Sequence, residues 1–348
     1  MTPVTANRLG GAVVAIAGFA LLFGLPRLAD EFVLLQVTVY AIMAILGLSL
    51  GFIWGYGGIL CFGQSAFYGL GAYAYAVAAI DMGDSTIPFL LAIALPAALA
   101  AALGYFMFYA RISDVYVGVI TLTVALIFFN VVNSTSGAQY HIGAAMLGGF
   151  NGIPAIPPLN YPFDPDDALD PTDMFELSLG LLIALYFGLR ALLATRFGRV
   201  VVAIRENEAR VEFIGYDARL CKLITFTIGG AIAGLAGCLF ANWGAFVSPT
   251  LFGIVQSAQI IIWVMVGGAG TLMGPICGSV FISWLATELG RQSAVNTPLL
   301  FGAILIVFVL LVPNGILPML QQRFGHWVVR APGARRVVAA GEPAQEQP

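Results

Sequence analysis

Charge is scarce in this sequence: Asp, Glu, Lys and Arg make up 9% of its 348 residues, whereas apolar residues make up 60%. Soluble domains average about 25% charged residues, so the composition excludes an ordinary water-soluble protein. Apolar runs of about 17–25 residues, the length that a helix needs to cross a bilayer, recur along the chain. The runs are continuous instead of alternating, which excludes a transmembrane β-barrel. The sequence therefore predicts an all-α polytopic membrane protein.

Catalytic groups are also scarce. The two histidines, His141 and His326, fall in an outer loop and in the C-terminal tail, so they cannot act as a pair. A Walker A glycine–lysine loop, an HExxH motif and a Cys–His metal spacing are all absent from the sequence. The four cysteines follow no metal or disulfide spacing and are expected to pack as small apolar side chains: Cys61, Cys221, Cys238 and Cys277. We therefore expect a protein that is not an enzyme, holds no cofactor or metal, and has no ATPase site of its own.

Charges of the two signs are separated along the chain. Six acids and no Lys or Arg lie between Ser134 and Glu176, whereas seven basic residues lie between Arg190 and Lys222. The C-terminal region adds further basic residues: Arg323, Arg330, Arg335 and Arg336. Cytoplasmic loops of membrane proteins carry an excess of Lys and Arg. The pattern predicts an outer loop over 134–175, a cytoplasmic loop over 195–222, and cytoplasmic tails at 1–10 and 319–348, the second of them disordered.

The apolar runs predict about ten transmembrane helices within a membrane domain over 11–318, with both termini cytoplasmic. Residues 32–80 are uncharged and would form roughly 70 Å of helix, enough for two crossings with a break near Gly55–Gly58. The remaining spans are predicted at 11–28, 88–109, 115–132, 177–193, 223–241, 252–266, 276–289 and 299–317. The first run could also be a signal peptide, but no cleavage pattern follows it. Eight full spans with re-entrant pieces is the alternative, because the runs beside glycine-rich segments are the weakest.

The cytoplasmic loop, Thr195–Lys222, has a helical pattern of its own. Its apolar residues recur at spacings of three and seven and predict one amphipathic helix: Val201, Ile204, Val211 and Ile214. Opposite charges at spacings of three and four would stabilise this helix: Arg205 with Glu208, and Glu206 with Arg210. Gly215 is placed to end the helix, and Asp217 to N-cap a second helix that continues into the next span. Such a segment is suited to docking on a soluble partner.

Two segments dense in glycine, 55–71 and 267–278, interrupt the apolar runs. Glycine permits close helix packing, and it also permits backbone that leaves helical geometry, which a bilayer tolerates only beside protein or water. Interrupted helices point to a transport path, and tight packing is the alternative. The polar residues could either line such a path or serve the structure, Gln64 and Ser65 as an interhelical hydrogen bond and Asn130 as a marker of the membrane interface. The candidate path residues are Gly57, Gly58, Gln64, Ser65, Asn130, Gly267, Gly268, Gly270 and Gly274.

Acidic residues are missing from the middle of the predicted spans. Glu288 lies near the end of its run with Arg291 three residues on, so a local ion pair at the outer surface is preferred over a role in proton coupling. A proton- or sodium-driven transporter usually needs a mid-membrane carboxylate. The pattern therefore weighs against a secondary transporter, which stays an alternative beside an intramembrane enzyme and a scaffold subunit.

Three segments together resemble one family. The segment WGYGGILCFGQSAFYGLGAYAYA (54–76) is similar to the glycine-rich segment of permeases in branched-chain amino-acid ABC importers. The segment RFGRVVVAIRENEARVEFIGYDARLCKLITFTIGGAIAGLAGCLF (196–240) resembles their cytoplasmic loop and following helix, and VGGAGTLMGPICGSVF (266–281) resembles their third signature. The resemblance spans most of residues 32–318 and is to the M-type of the two permease subunits.

This resemblance implies an importer of the bacterial inner membrane, in which the chain assembles with a second permease, two ABC ATPase subunits and a periplasmic substrate-binding protein. It implies that the residues matching the family's coupling segment contact the ATPases: Arg205, Glu206, Asn207, Glu208 and Gly215. Glu208-Ala209-Arg210 matches the usual Glu-Ala-Ala only in part, with Gly215 one position late, and Gln64 replaces a usual histidine. The implied cargo is branched-chain or other hydrophobic amino acids. The opening WGYGGIL is also similar to permeases for urea and short-chain amides, which is the alternative.

Overall fold

The computed structural model describes residues 15, 18–137, 139–161, 164–290 and 302. Within these residues the chain forms eleven helices, and five of them are long and apolar enough to cross a membrane. These features agree with the predicted polytopic helical membrane protein. Apart from residue 302, the predicted span 299–317 and both predicted tails lie outside the described residues.

The helices follow the predicted spans closely. In chain order they are α1 (Gly18–Leu28), α2 (Glu31–Gly55), α3 (Gln64–Met82), α4 (Thr86–Tyr109), α5 (Asp114–Ser134), α6 (Pro171–Ala194), α7 (Arg196–Glu206), α8 (Glu208–Phe213), α9 (Ala218–Gly244), α10 (Ile254–Gly267) and α11 (Met273–Gly290). The five candidate spans are α2, α4, α5, α6 and α9. Helix α10 has 14 residues and is about 21 Å long, which is shorter than the hydrocarbon core of a bilayer. This length would suit a re-entrant piece of the alternative topology, and the number of spans stays a prediction.

Helix α9 lies at the centre of the bundle, packed against α2, α3 and α4. In the apolar windows of α2 and α9, 67% of the residues are buried, against 22–28% in α4, α5 and α6. The outer helices expose large apolar side chains, among them Leu90, Phe106, Val119 and Ile127. Exposed apolar surface on a spanning helix faces lipid at no cost. The structure therefore has a central pair of helices surrounded by helices with lipid-facing surfaces.

Glycines on one face of α2 bring α11 into close contact. Gly47, Gly51 and Gly55 are spaced by four residues, and side chains added at these positions would collide with Pro275 or with the Ala269 carbonyl. Small residues at this spacing are typical of helix packing in membranes. Because lipid tails are as apolar as the side chains, the hydrophobic effect does not favour helix association there, and close packing must do so. These glycines therefore hold the helices together by contact. Gly55 also joins the two glycine-rich segments, since Ala269 belongs to the second of them.

The predicted outer loop contains short antiparallel strand pairs. Strand β1 (His141–Ile142) pairs with β2 (Ala145–Met146), β3 (Ile153–Pro154) with β6 (Phe246–Val247), and β4 (Asn160–Tyr161) with β5 (Asp164–Ala168). The β3–β6 pair ties this loop to the connection between α9 and α10.

The predicted end of the loop is wrong, because α6 begins at Pro171 and not near Leu177. A capping box between Asp170 and Asp173, with proline at the first helical position, starts the helix early.

The close contact of α2 with α11 predicts a strong effect of side-chain size at Gly51. We expect Gly51→Leu to destabilise the protein by about 1–3 kcal/mol or to prevent folding, because the added atoms overlap Pro275. The matched control is Gly188→Leu on α6, where a Cβ meets nothing within 4 Å. Size-exclusion profiles and thermal unfolding in mild detergent measure the difference. Equal behaviour of the two variants would contradict the packing described for α2.

Candidate functional site

The break between α2 and α3 falls where the glycines predict it. Helix α2 ends at Gly55, and the chain stays non-helical until α3 begins at Gln64. Gly58 has a φ of +68°, a left-handed conformation that favours glycine, and its Cα lies against the side chain of Arg205. Thr121 of α5 accepts hydrogen bonds from the backbone N–H groups of Phe62 and Gly63 at 3.2 and 3.3 Å. These bonds satisfy backbone that has left helical geometry inside the bundle.

The same break contacts the segment 195–222, which is predicted to be cytoplasmic. The guanidinium of Arg205 on α7 donates a hydrogen bond to the carbonyl oxygen of Gly55. The last carbonyl groups of a helix lack partners within the helix and carry partial negative charge, so a cation is favourable there. A cavity of about 270 Å³ lies between α7, α8 and the glycine break, lined in part by Gly57, Gly58 and Glu206. Arg205 therefore joins the cytoplasmic segment to the end of a central membrane helix.

Lys222, the only lysine of the chain, makes the second connection. Its ammonium lies 2.6 Å from a carboxylate oxygen of Glu208, on α8, and 3.6 Å from one of Asp114, the first residue of α5. The Lys222 side chain is 12% exposed, whereas the two carboxylates are more open to solvent. Because Lys222 belongs to α9, this cluster links α8 to the first turns of two membrane helices. We call Arg205, Glu208, Lys222, Asp114 and the Gly55 carbonyl the cytoplasmic junction, a name that refers to the predicted side of the 195–222 segment.

The prediction of one continuous amphipathic helix in this segment is wrong. The chain breaks at Asn207, which is extended (φ −164°, ψ 99°), and its side chain accepts a 3.0 Å hydrogen bond from the N–H of Arg210. Asparagine is among the best N-cap residues, so its side chain starts a new helix, α8, instead of continuing α7. The predicted pairs Arg205–Glu208 and Glu206–Arg210 therefore straddle two helices, and Glu208 binds Lys222 instead.

The predicted apolar face of this segment is confirmed in part. Val201, Ile204 and Val211 are buried, but Ile214 is 75% exposed. Ile214 follows Val211 by three residues but lies just beyond α8, which ends at Phe213, so it does not continue the common face.

The two predicted helix caps, Gly215 at the end of one helix and Asp217 at the start of the next, are both present. Gly215 has a φ of +96° and donates to the carbonyl of Glu212 at 2.9 Å, while Tyr216 donates to the carbonyl of Val211 at 3.3 Å. This pair of bonds is the Schellman motif, which ends α8. The Asp217 carboxylate then accepts from the N–H groups of Arg219 and Leu220 at 3.0 and 3.1 Å and starts α9.

The turn that ends α8 exposes large apolar side chains. Phe213 is 90% exposed, Ile214 75% and Tyr216 51%, and we call these three residues the apolar knob. A cavity of about 340 Å³ beside it is lined by Arg196, Arg199, Val200, Ala203, Val211, Ile214 and Tyr216. Exposed apolar side chains next to basic ones are typical of docking surfaces. The sequence analysis missed this surface, although two adjacent apolar residues before a glycine turn were a signal for it.

Gln64 and Ser65 begin α3 and lie in the interior of the bundle. The Gln64 side chain is 1% exposed, and its Nε2 donates to Ser49 Oγ of α2 at 2.9 Å and to the Gly229 carbonyl of α9 at 3.2 Å. Ser65 Oγ lies 2.6 Å from Ser257 Oγ of α10. Interhelical hydrogen bonds, one of the two predicted roles, are thus present. We call Ser49, Gln64, Ser65 and Ser257 the buried polar cluster.

The other candidate path residues lie apart from this cluster. Asn130 is exposed on α5 and donates to the Leu126 carbonyl of its own helix at 2.8 Å. Gly267, Gly268 and Gly274 form the tight connection between α10 and α11, where Gly268 has a φ of +101° and a side chain at Gly267 would collide with Gly274. Gly270 is exposed and has open space where a side chain would be. In this structure the second glycine segment packs two helices together.

The chain belongs to a family of membrane permeases. Residues 32–312 match the family described as the branched-chain amino acid transport system permease component. The high-affinity branched-chain amino acid transport permease LivM of Escherichia coli K12 is 28% identical over 308 residues, which covers 81% of this chain and 69% of the relative. LivM of Salmonella typhimurium LT2 has the same identity over the same length. The autoinducer 2 import permease LsrC of Klebsiella pneumoniae is 31% identical over 118 residues, which covers 32% of this chain and 33% of the relative.

These comparisons confirm the family that the sequence motifs indicated, and no solved structure matches the chain. The permeases of this family are transport components and not enzymes, and they are multi-pass membrane proteins. The cytoplasmic junction and the buried polar cluster therefore belong to a transport subunit.

The cytoplasmic junction predicts that the stability of the protein depends more on the charge of the side chain at position 222 than on its length. We expect Lys222→Glu to destabilise the protein, because like charges then lie close together at Glu208 and Asp114, whereas Lys222→Arg keeps both attractions. Exposed ion pairs contribute about 0.2–1 kcal/mol, so the cost of Lys222→Glu should exceed that of Lys222→Met. Thermal unfolding in detergent ranks the variants, and an indistinguishable series would show that the cluster does not hold α8.

Proposed function

We propose that the chain is a permease subunit of an ATP-driven importer that carries branched-chain or other hydrophobic amino acids across the bacterial inner membrane. The family and the two LivM relatives support this cargo. The observation that carries the proposal is the cytoplasmic junction, since a segment joined to three membrane helices and exposing an apolar knob is suited to transmit force from a soluble partner. The partners are a second permease, two ABC ATPase subunits and a periplasmic binding protein.

The proposed topology has about ten spans with both termini in the cytoplasm. The end of α2 and the beginnings of α5 and α9 meet the basic segment at one side of the bundle. The acid-rich outer loop and the β3–β6 pair follow the opposite ends of α5 and α9. This separation agrees with the positive-inside rule.

The coupling residues inferred from the resemblance have two different parts in this mechanism. Arg205 and Glu208 bind this chain's own helices and so transmit movement to the membrane. Asn207 caps α8 and Gly215 permits the turn after it, so these two residues shape the segment. Glu206 is exposed beside the cavity. The ATPase contact itself is assigned to the apolar knob and to the arginines beside it, Arg196 and Arg199.

In the proposed cycle, ATP-driven closure of the partner subunits moves α7 and α8 together. The Arg205 bond pulls on the end of α2, and the Lys222 cluster pulls on the beginnings of α5 and α9. Helices α2 and α9 both contact Gln64, so their displacement reaches the buried polar cluster at the start of α3. Chemical energy from ATP thus reaches the middle of the membrane through hydrogen bonds and ion pairs.

If the apolar knob binds the ATPase subunits, polar substitutions in it should remove those subunits while the chain still folds. We expect Phe213→Ser with Ile214→Ser to abolish co-purification of the ATPase subunits and ATP-dependent uptake, because these side chains have little packing within the chain. The control is Phe150→Ser in the predicted outer loop, a phenylalanine that is 76% exposed. A mild-detergent pull-down of the tagged chain with mass spectrometry measures the partners. Retained ATPases in the double variant would contradict the docking surface.

The hydrogen bond from Arg205 to the end of α2 predicts that its removal uncouples ATP hydrolysis from transport while the complex still assembles. We expect Arg205→Met to keep the ATPases bound and active while lowering the amino acids carried per ATP by about tenfold, since one charge-assisted hydrogen bond of about 1.5–3 kcal/mol is lost. Arg219→Met, in the first turn of α9, removes a charge nearby as the control. Uptake and phosphate release are measured together in proteoliposomes. An unchanged ratio would remove Arg205 from the coupling route.

A further inference from the structure

Two helices begin inside the bundle and their first turns meet there. Helix α3 starts at Gln64 after the non-helical segment, and α10 starts at Ile254 after a 3-10 turn over Pro249–Phe252. The hydroxyls of Ser65 and Ser257 lie 2.6 Å apart, and both residues are buried. Gln64 contacts Gly229, which is roughly 17 Å into α9, about half the thickness of a hydrocarbon core. The meeting point is therefore deep in the membrane.

The two first turns make this point electropositive. Each helix N-terminus carries unsatisfied backbone N–H groups equivalent to about half a positive charge. Neither α3 nor α10 has an acidic residue in its first turn, and neither has a side-chain hydrogen bond at its N-cap. In a medium of low dielectric constant such donors favour an anionic group.

An unpartnered acceptor lies in the first turn of α3. The Nε2 of Gln64 must face the Gly229 carbonyl, which can only accept, so the position of Oε1 is fixed as well. Among the described residues this buried Oε1 has no hydrogen-bond partner. A buried amide oxygen without a donor is costly, and a native structure that keeps one indicates a partner missing from the structure. That partner must supply N–H or O–H donors.

Hydrogen-bond donors suited to an anion and an acceptor suited to a cation thus lie side by side in the first turn of α3. We propose that the first turns of α3 and α10 bind the head group of a zwitterionic α-amino acid during its passage. The Ser65 and Ser257 hydroxyls and the free backbone N–H groups bind the carboxylate, and Gln64 Oε1 accepts from the ammonium. The two hydroxyls bond each other in this structure, and in the proposal the carboxylate replaces that bond when α3 and α10 separate. This site rests on the proposed function, because it assumes that the cargo is an amino acid.

The test is cysteine accessibility in the complete importer, reconstituted in proteoliposomes. Ser65→Cys and Ser257→Cys are made singly in a background with Cys61, Cys221, Cys238 and Cys277 replaced by alanine and with leucine uptake retained. The thiols are treated with an anionic sulfonatoethyl and a cationic trimethylammonioethyl methanethiosulfonate during ATP turnover. Ser178→Cys on α6 is the matched control, since Ser178 is fully buried and its hydroxyl also has no partner among the described residues.

We expect both cysteines to react during turnover and the control to stay unreactive. After correction for each reagent's rate with a free thiol, the anionic reagent should react about tenfold faster, because two helix N-termini attract it. An excess of L-leucine should slow both reactions. Absence of reaction in every state, preference for the cationic reagent, or absence of protection by leucine would each overturn the site.

A second variant tests the acceptor without cysteine chemistry. Gln64→Leu should lower the rate of leucine uptake about tenfold while leaving ATPase binding unchanged, whereas Ser178→Ala should stay within about twofold of the wild type. Unchanged uptake in Gln64→Leu would refute the role of Oε1. Leucine uptake by the wild type with unreactive cysteines would refute the site and leave the proposed function intact. Absence of uptake of leucine and of every other hydrophobic amino acid by the wild type would refute the function itself.

Discussion

Backbone that leaves helical geometry inside a bilayer must find its hydrogen bonds within the protein, and much of this structure follows from how one segment does so. Between Gly55 and Gln64 the chain is not helical, and its N–H groups bond to Thr121 and to carbonyls at the end of α2. The free carbonyl of Gly55 takes the guanidinium of Arg205. The break in α2 thus fixes where α3 begins and also where the cytoplasmic segment rests against the membrane helices.

In the proposed topology, that arrangement gives the chain a short route from the cytoplasm to the membrane interior. Arg205 and Lys222 connect α7 and α8 to the ends of α2, α5 and α9, and two of these helices contact Gln64. Helix α2 is also held against α11 by close packing at its glycines. A route with polar ends is what an importer driven by soluble ATPases needs.

Much of the fold followed from the sequence because its causes are local. The apolar runs gave the spans to within a few residues, the glycines gave the break after α2, and Asp217 and Gly215 gave the caps. The break at Asn207 was missed, because the apolar spacing continues through it and only the side-chain cap reveals it. The start of α6 was predicted too late for a similar reason, because the capping box that starts this helix lies before the apolar run.

The sites themselves were less predictable, because they join residues that are distant in sequence. Lys222 meets Asp114 across 108 positions, and Ser65 meets Ser257 across 192. Gln64 and Ser65 were selected because polar residues in an apolar run need a partner, but the identity of that partner depends on helix packing. The apolar knob was overlooked because Ile214 fits the pattern of a buried face, but α8 ends at Phe213 and the turn that follows exposes Ile214.

The most direct test of the account is leucine uptake by proteoliposomes that contain the purified complete importer. The account predicts uptake that requires both ATP and the binding protein, with no uptake by vesicles that contain this chain alone. Leucine uptake by the chain alone, driven by a proton or sodium gradient and indifferent to ATP, would contradict it.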